Sequence, residues 1–510
     1  MFEIVKNFIF LQKYLFLSFF LIFGLISTVA QKQKTAYLWE SETQKRQGTE
    51  RTHSLLHYDT AHYYVFRIDD RFRQTKMEVF GQNLQKIRTA TISNSSATYF
   101  SPMNLLGNLY LLRMSYRYNR EEDHYEDVTM RAFPLQKDSL TVGQDSLTLV
   151  APFTMKSNFY KGDFAISPDK SKILVYEYEE LGDIEGVKAL TNSVKLSVYD
   201  INFQLLWKRT IDLAPEATLN RLVALKRLRL SNEGKVGILT DIFKSAENRT
   251  YESKKVTANP TLFFVGEAAD DFMRFTPNLG DYFYNQMDFT FDNESDVVWF
   301  GCYSATRYYQ QSGLFYIKIN KERSKILAKK QIDFSPELIA KTLDKKITAG
   351  RELRNFVLSS WRMLPDKSGF IINLEHRPYS TFNFKSHEIL SLCIDNQGVL
   401  RWAVPTPKWG SISQEYEMFL AHYVVAVGTD VYLIYNNGVN RENQAVAVRI
   451  DNEGKKTEKL IYRYDSQETI ICPRLSASLG EGKVFLCLQS RYFNAYNFAV
   501  LDLPALFGIK

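Results

Sequence analysis

The chain has 510 residues and a formal net charge of +7 at neutral pH, and 45% of its residues are hydrophobic. Its basic residues are scattered along the sequence, which argues against nucleic-acid binding because that activity usually requires a concentrated basic patch. A chain of this length could form two or three domains, but one repeated sequence pattern covers nearly all of it.

Residues 1–30 have the features of a secretory signal peptide. Lys6 and Lys13 precede an apolar run from Tyr14 to Ile26, and small residues follow where a signal peptidase would cut. The run has 13 residues, fewer than the ~20 that a membrane-spanning helix needs. The alternative is a retained membrane anchor. We expect a mature protein that begins at Gln31, has no stable membrane span and is exported to the periplasm or the extracellular space.

A polar turn between two apolar strands recurs at intervals of roughly sixty residues. Strands rich in Val, Ile, Tyr and Phe with alternating polarity flank each turn. Two further strands follow in most units, so that the repeat is a set of four short antiparallel strands. Such a repeat predicts a β-propeller. The seven turns contain Gly107, Asp169, Asn232, Asn293, Asp366, Gly428 and Gly480.

The two ends of the chain contain incomplete units. The last unit has only three strands, whereas Tyr63 to Ile68 and Lys76 to Phe80 resemble the third and fourth strands of a unit without its first two. We therefore predict an all-β, seven-bladed propeller with four-stranded antiparallel blades, closed by an N-terminal strand. Eight blades are the alternative if Ala36 to Trp39 begins a further unit. Residues 31–59 would be a lead-in and residues 60–510 a single propeller domain.

Two kinds of hairpin resemble those of known propeller families. The Ser167-Pro168-Asp169 turn followed by Lys172-Ile173-Leu174-Val175 resembles the inner hairpin of Tol-type and WD-repeat propellers. Segments 198–207 and 393–402, which end in Trp207 and Trp402, are similar to the outer hairpin of quinoprotein-type blades, where a Trp packs between neighbouring blades. The resemblance covers residues 60–505. It implies the propeller fold and no particular activity.

The connections of a four-stranded blade alternate between its two rims. Turns that join the first strand to the second, and the third to the fourth, are short here, whereas the connections on the opposite rim are longer and rich in Tyr, Arg and His. We call this second rim the long-loop face. Such side chains either cover the loop backbone or bind sugar rings, peptides and carboxylates. The predicted ligand-binding residues are Arg307, Tyr308, Tyr309, His376, Arg377, Tyr379, Trp409, Arg491 and Tyr492.

Two local features have definite structural expectations. Ser335-Pro336-Glu337 predicts the start of a short helix that continues to about Leu343, with Ser335 as the N-cap. Cys472 and Cys487 flank the last turn and either form a disulfide or remain as buried thiols.

No catalytic, zinc or phosphate-binding motif occurs in the sequence, and we expect no cofactor. Two acidic loops either bind calcium, supply a general acid for glycoside cleavage, or are simply solvated. Their acidic residues are Glu121, Glu122, Asp123, Glu126 and Asp127 in the first loop and Glu177, Glu179, Glu180 and Asp183 in the second.

The sequence therefore favours an exported, noncatalytic binding or scaffold protein that recognises a glycan, a peptide or an envelope protein on its long-loop face. The alternative is a propeller-fold glycoside hydrolase or lyase that uses loop carboxylates.

Overall fold

The computed structural model describes most of the chain between Tyr37 and Ile509. The predicted signal peptide lies outside the described residues. Within the described part, no helix is long and apolar enough to cross a membrane. The segments outside the described residues are 1–36, 41–43, 46–49, 70–73, 94–97, 120–123, 144–146, 157–159, 180–190, 214–221, 244–257, 277–281, 293–294, 305–309, 321, 323–324, 343–351, 379–382, 414–418, 440–442, 465–468, 491–494 and 510.

The described residues form an all-β propeller of eight blades. Six blades are four-stranded antiparallel sheets in which each strand pairs with the next one in the same sheet. Their strands are Glu50–Tyr58, His62–Asp69, Gln74–Gly81 and Lys86–Ser93 in blade 1; Tyr160–Ile166, Lys172–Glu179, Ser193–Asp200 and Leu205–Asp212 in blade 3; Leu222–Leu230, Val236–Phe243, Ala258–Val265 and Phe272–Phe275 in blade 4; Phe283–Phe291, Val297–Ser304, Gly313–Ile319 and Ile326–Asp333 in blade 5; Phe356–Met363, Gly369–His376, Asn383–Asp395 and Leu400–Ser413 in blade 6; and His422–Val427, Asp430–Asn437, Gln444–Ile450 and Lys456–Arg463 in blade 7.

Blades 2 and 8 have divided strands. In blade 2, the last two strands both pair with the third strand; its elements are Thr98–Leu105, Asn108–Asn119, His124–Gln136, Thr141–Val142 and Leu147–Lys156. In blade 8, divided strands occupy the first and fourth positions; its elements are Thr469–Ile471 with Ala477–Gly480, then Lys483–Ser490, Ala495–Asp502, and Tyr37–Glu40 with Gln44–Lys45.

The prediction of seven blades is wrong, and the eight-bladed alternative is confirmed. Tyr63 to Ile68 and Lys76 to Phe80 belong to the second and third strands of blade 1, not to the third and fourth strands of an incomplete unit. Blade 1 begins at Glu50, within the segment that we assigned to a lead-in. Ala36 to Trp39 overlaps a strand that pairs with Ala495–Asp502 in the last blade instead of starting a blade of its own.

The first strand of each blade is the innermost. Leu222–Leu230 of blade 4 contacts the first strands of blades 3 and 5, and Phe356–Met363 of blade 6 contacts the first strands of blades 5 and 7. First strands that lie side by side in this way line the central channel of a propeller. Residues on these strands are therefore placed to meet a ligand that enters the channel.

The hydrophobic cores lie between neighbouring blades. Phe300 of blade 5 and Ile372 of blade 6 share one buried cluster. Another cluster combines Phe80 of blade 1, Ile434 of blade 7 and Phe485 of blade 8. The last blade is thus packed between blades 7 and 1, and the ring has no open sheet face at this junction.

Local elements match their sequence signals. A helix spans Pro336–Lys341, and the Oγ atom of its N-cap Ser335 accepts a hydrogen bond of 3.2 Å from the backbone N–H of Leu338, as predicted. A short helix, Leu503–Phe507, follows blade 8, a single 3-10 turn spans Pro473–Leu475, and Gln310–Gln311 pairs with Leu353–Arg354. All four cysteines are described and buried, and none forms a disulfide, so Cys472 and Cys487 remain as buried thiols.

Candidate functional site

Three of the nine predicted ligand-binding residues are described, and all three lie at one end of blade 6. His376 is the last residue of the strand Gly369–His376, Arg377 follows it, and Trp409 lies in the strand Leu400–Ser413. All three residues lie on the long-loop face. The other six lie outside the described residues: Arg307, Tyr308, Tyr309, Tyr379, Arg491 and Tyr492.

Aromatic rings form a continuous stack on the side of blade 6 that faces blade 5. The His376 ring stacks on Phe356 with a centroid distance of 5.1 Å and an interplanar angle of 21°. His387 contacts His376 edge-on at 5.6 Å and lies parallel to Trp409 at 6.4 Å. His376 is only 5% exposed, so it supports the stack from below. It is the last residue of a strand, whereas the sequence analysis placed it in an exposed loop. His387 and Trp409 are half-buried and form the accessible part of the stack.

Charged side chains form a network on the opposite side of the blade, which faces blade 7. Glu375 is 1% exposed, and its Oε1 atom accepts hydrogen bonds from Lys408 Nζ at 2.5 Å and from Ser386 Oγ at 2.6 Å. Its Oε2 atom accepts bonds from Arg377 Nε at 3.0 Å and Nη2 at 2.7 Å. Lys408 also donates to the backbone carbonyl of Leu420. We call Glu375, Arg377, Ser386 and Lys408 the Glu375 network.

Strand geometry explains why the two sets lie on opposite sides. Successive side chains of a β-strand point to opposite faces of the sheet. Phe370, Ile372 and Leu374 pack against blade 5, so the side chain of His376 also points toward blade 5. Ile371 packs against Val424 of blade 7, so the side chain of Glu375 points toward blade 7.

The basic groups keep Glu375 ionised. Burial alone would raise the pKa of its carboxyl group, but the charges of Lys408 and Arg377 outweigh burial and hold the pKa well below its usual range. Burial lowers the pKa of the Lys408 ammonium, and Glu375 opposes that shift. A general acid needs a raised pKa instead. Glu375 is therefore suited to fixing the two cations in position and not to donating a proton.

His422 extends the polar region to the channel wall. Its Nε2 atom lies 2.9 Å from Ser360 Oγ, on the innermost strand of blade 6. Asn373 Nδ2 donates to the same Ser360 oxygen at 3.0 Å, and Ser391 Oγ donates to Asn373 Oδ1 at 2.6 Å. Burial lowers the pKa of His422 to about 3, although Glu375 opposes the shift. The ring is therefore neutral at physiological pH.

The channel wall next to this region is also polar and aromatic. Asp288 of blade 5 accepts hydrogen bonds of 2.9 Å from Arg229 Nη2 of blade 4 and from Trp361 Nε1 of blade 6. The Arg229 guanidinium lies 5.3 Å from the centre of the Trp361 ring. Three consecutive innermost strands are thus joined by side chains, and the half-buried Trp361 is held in a fixed orientation.

The sequence analysis missed Glu375, Lys408 and His422. The signal that could have revealed Glu375 is the alternation Ile371, Asn373, Glu375, in which polar residues continue the row of side chains that faces blade 7. Lys408 and His422 lie in different strands, and nothing in their spacing indicates that they meet Glu375.

The acidic loops provide no described metal site. Within the part of the chain that the structure describes, no three His, Cys, Asp or Glu side chains lie close enough to hold a metal ion. Glu177 is buried near the end of the strand Lys172–Glu179 and is not in an exposed loop. The residues Glu121, Glu122, Asp123, Glu180 and Asp183 lie outside the described residues.

No family model matches the chain, and no curated protein matches it. Its fold is similar to those of solved structures with low sequence identity. Prolyl oligopeptidase B from Galerina marginata, bound to a 25mer macrocyclization substrate, is 11% identical with a TM-score of 0.40, and the match covers 94% of this chain and 57% of that chain. A puromycin-hydrolyzing peptidase of Mycobacterium tuberculosis is 11% identical with a TM-score of 0.33, covering 89% and 52% of the two chains.

An ulvan lyase of a new polysaccharide lyase family is 9% identical with a TM-score of 0.35, and the match covers 92% of this chain and 96% of that chain. The chain spans only about half the length of the two peptidases. At these identities the similarity concerns the fold alone.

Proposed function

We propose that the chain is an exported, noncatalytic binding or scaffold protein that recognises a glycan, a peptide or an envelope protein on its long-loop face. The observation that supports this proposal most is the end of blade 6. There the half-buried rings of His387 and Trp409 lie on one side of the blade, and Arg377, whose guanidinium is held by Glu375, lies on the other. Flat aromatic faces and a fixed guanidinium are groups that bind sugar rings, peptides and carboxylates.

Two properties of this region make it suitable for binding. Arg377 retains 29% of its side-chain exposure while its Nε and Nη2 atoms are bonded to Glu375. A side chain that is already ordered loses less conformational entropy when a ligand binds. The backbone of Trp409 is also fixed, because its N–H donates to Asn437 Oδ1 at 2.9 Å and its carbonyl accepts from the N–H of Gly438 at 2.7 Å.

The charge state of the buried carboxylate argues against Glu375 as a general acid. Cleavage of a glycosidic bond by a pair of carboxyl groups requires one of them to give up its proton near neutral pH. The lowered pKa of Glu375 is opposite to that requirement. The glycoside hydrolase or lyase alternative has no comparable support among the described residues.

We also propose that the N-terminal strand closes the ring. Tyr37–Glu40 pairs antiparallel with Ala495–Asp502, with Trp39 opposite Val500 and Glu40 opposite Ala499. A strand added from the other end of the chain covers the open edge of the last blade. For this strand to close the ring, cleavage of the signal peptide must leave residues 37–45 in place. The predicted cleavage site before Gln31 meets this condition.

The proposed function can be tested on glycan and protein arrays. Purified protein should bind a defined class of ligand, and Arg377→Gln and Trp409→Ala should each reduce that binding at least tenfold. Arg401→Gln is the matched control, because Arg401 is an exposed arginine of the same blade on the opposite rim. Equal binding by all four proteins would contradict the proposal, and so would turnover of a polysaccharide substrate.

A further inference from the structure

The innermost strands of the propeller carry more basic than acidic residues. Across the described first strands of the eight blades there are six Lys or Arg residues and three Asp or Glu residues. Four of the basic residues lie in blades 4 and 6, which flank blade 5; they are Lys226, Arg227, Arg229 and Arg362. Asp288 is the one acidic residue on the described innermost strands of blades 4–6.

Two of these arginines have no counter-ion within the described part of the chain. Arg227 is exposed and forms neither a hydrogen bond nor an ion pair there. Arg362 is also exposed, and its Nη1 atom donates only to the backbone carbonyl of Trp361, at 3.2 Å. Lys226, in contrast, pairs with Asp241 at 3.0 Å. The charges of Arg227 and Arg362 are therefore available to a ligand.

Arg229 is held in a fixed orientation on the same wall. Its Nη2 atom lies 2.9 Å from both carboxylate oxygens of Asp288. Its guanidinium lies 5.9 Å from the centre of the Phe289 ring and 5.3 Å from that of Trp361. The Nη1 atom forms no hydrogen bond to a described residue, and the side chain is 33% exposed. Arg229 can therefore donate to a ligand through Nη1 while it keeps its bonds to Asp288.

Strand geometry brings the three arginines to one stretch of the channel wall. Arg227 and Arg229 are two positions apart in one strand, so their side chains leave it on the same side, about 7 Å apart. Arg229 reaches across the inner edge of blade 5 to Trp361, the residue before Arg362. Arg229 and Arg362 each precede the last residue of their strands. The stretch therefore lies at the end of the channel that the short turns border.

Like charges on a concave wall attract anions, because the low-dielectric surroundings focus the electrostatic potential into the channel. Guanidinium groups donate in a fork that fits the oxygens of phosphates and carboxylates. An anion with a single charge would pair with one arginine at a time. An anion with several charges can contact two or three arginines at once, so the geometry favours a small multivalent anion.

We propose that the channel wall of blades 4–6 binds a small multivalent anion with phosphate or carboxylate groups, which Arg227, Arg229 and Arg362 contact together. Asp288 is a positioning residue that fixes the Arg229 guanidinium. The site lies at the opposite end of the channel from the long-loop face, so this inference goes beyond the proposed function and does not depend on it.

Calorimetric titrations of the purified protein at constant ionic strength test this inference. The probes are tripolyphosphate and citrate, with acetate as the comparison that bears a single charge. We expect at least one multivalent anion to bind and acetate not to bind. Arg227→Gln and Arg362→Gln should each raise the dissociation constant by about tenfold to a hundredfold, because each removes a hydrogen bond between charged groups. Tighter binding of tripolyphosphate would assign a phosphate-bearing ligand, and tighter binding of citrate a carboxylate-bearing one.

Arg401→Gln is the matched control, because it removes the same charge from an exposed arginine on the outermost strand of blade 6. It should leave the dissociation constant unchanged, and the thermal midpoint of each variant shows whether the fold is retained. Equal weakening in Arg401→Gln would mean that binding follows net charge, and it would overturn the inference. Failure of both multivalent anions to bind would also overturn it, and so would binding that is unchanged in Arg227→Gln and Arg362→Gln. The arrays test the long-loop face separately, so these outcomes leave the proposed function intact.

Discussion

The Nζ atom of Lys408 lies 2.5 Å from Oε1 of Glu375, and each residue is 1% exposed. Removing one partner of such a pair leaves a buried charge without compensation. We expect Lys408→Met to lower the free energy of unfolding by about 3–5 kcal/mol, measured by chemical denaturation. Lys455→Met, at an exposed turn, should change it by less than about 0.5 kcal/mol.

The double variant Glu375→Leu with Lys408→Met tests the physical reason for this loss. Because it removes both charges, it should be more stable than Lys408→Met alone. A double variant whose loss equals the sum of the two single losses would show that the two charges are not coupled.

His422 makes the protein sensitive to acid. Its pKa is about 3 in the folded protein and about 6.5 in an unfolded chain, so the unfolded chain takes up the proton first as the pH falls. The free energy of unfolding should therefore fall between pH 7 and pH 4.5, by about 2.5 kcal/mol from this group. Denaturation curves across this range measure the slope.

His422→Gln should flatten that slope. Below about pH 4.3 the stability that Glu375 contributes is also lost, because its folded pKa is depressed and the unfolded chain is protonated first. A slope that is the same in wild type and His422→Gln would rule out this explanation.

The hydrogen bond from Trp361 to Asp288 connects blades 5 and 6 at the channel wall. Trp361→Phe keeps most of the apolar contact and removes the donor, and should cost about 1–3 kcal/mol because the acceptor is charged. In an Asp288→Ala background the same substitution should cost clearly less. Equal costs in both backgrounds, by thermal or chemical denaturation, would mean that the bond does not contribute.

The N-terminal strand can be tested through its backbone. Proline at position 39 cannot donate to the strand around Val500, so Trp39→Pro should lower the free energy of unfolding by about 1–3 kcal/mol. Gln33→Pro, at a position that precedes Tyr37 in the sequence, serves as the control. If Trp39→Pro has the same thermal midpoint as Gln33→Pro, the N-terminal strand does not stabilise the ring.

The blade count shows where sequence patterns were sufficient and where they were not. Seven turns contain a Gly, Asn or Asp in a recognisable apolar setting, and each joins the first two strands of a blade. The corresponding turn of blade 1 contains Asp59 but was missed, because residues 31–59 were assigned to a lead-in. There, Asp59 Oδ1 accepts hydrogen bonds from the backbone N–H groups of Ala61 and His62 at 2.9 and 2.8 Å. The Asp59 side chain thus stabilises the turn by hydrogen bonding, whereas a glycine allows a tight turn through its backbone conformation.

The candidate site was predictable only in part. Tyr-, Arg- and His-rich connections pointed to the long-loop face, and His376, Arg377 and Trp409 lie there at the end of blade 6. Glu375 and Lys408 come together because a strand ending at residue 376 and a strand ending at residue 413 belong to the same sheet. That contact depends on strand register across the sheet, which composition and turn spacing do not determine.

Hydrogen–deuterium exchange with and without a bound array ligand tests the central claim most directly. If the long-loop face is the binding surface, the ligand should slow exchange in residues 376–378 and 408–410 and leave the turn at residues 395–399 on the opposite rim unchanged. Protection confined to residues 395–399 would contradict the account.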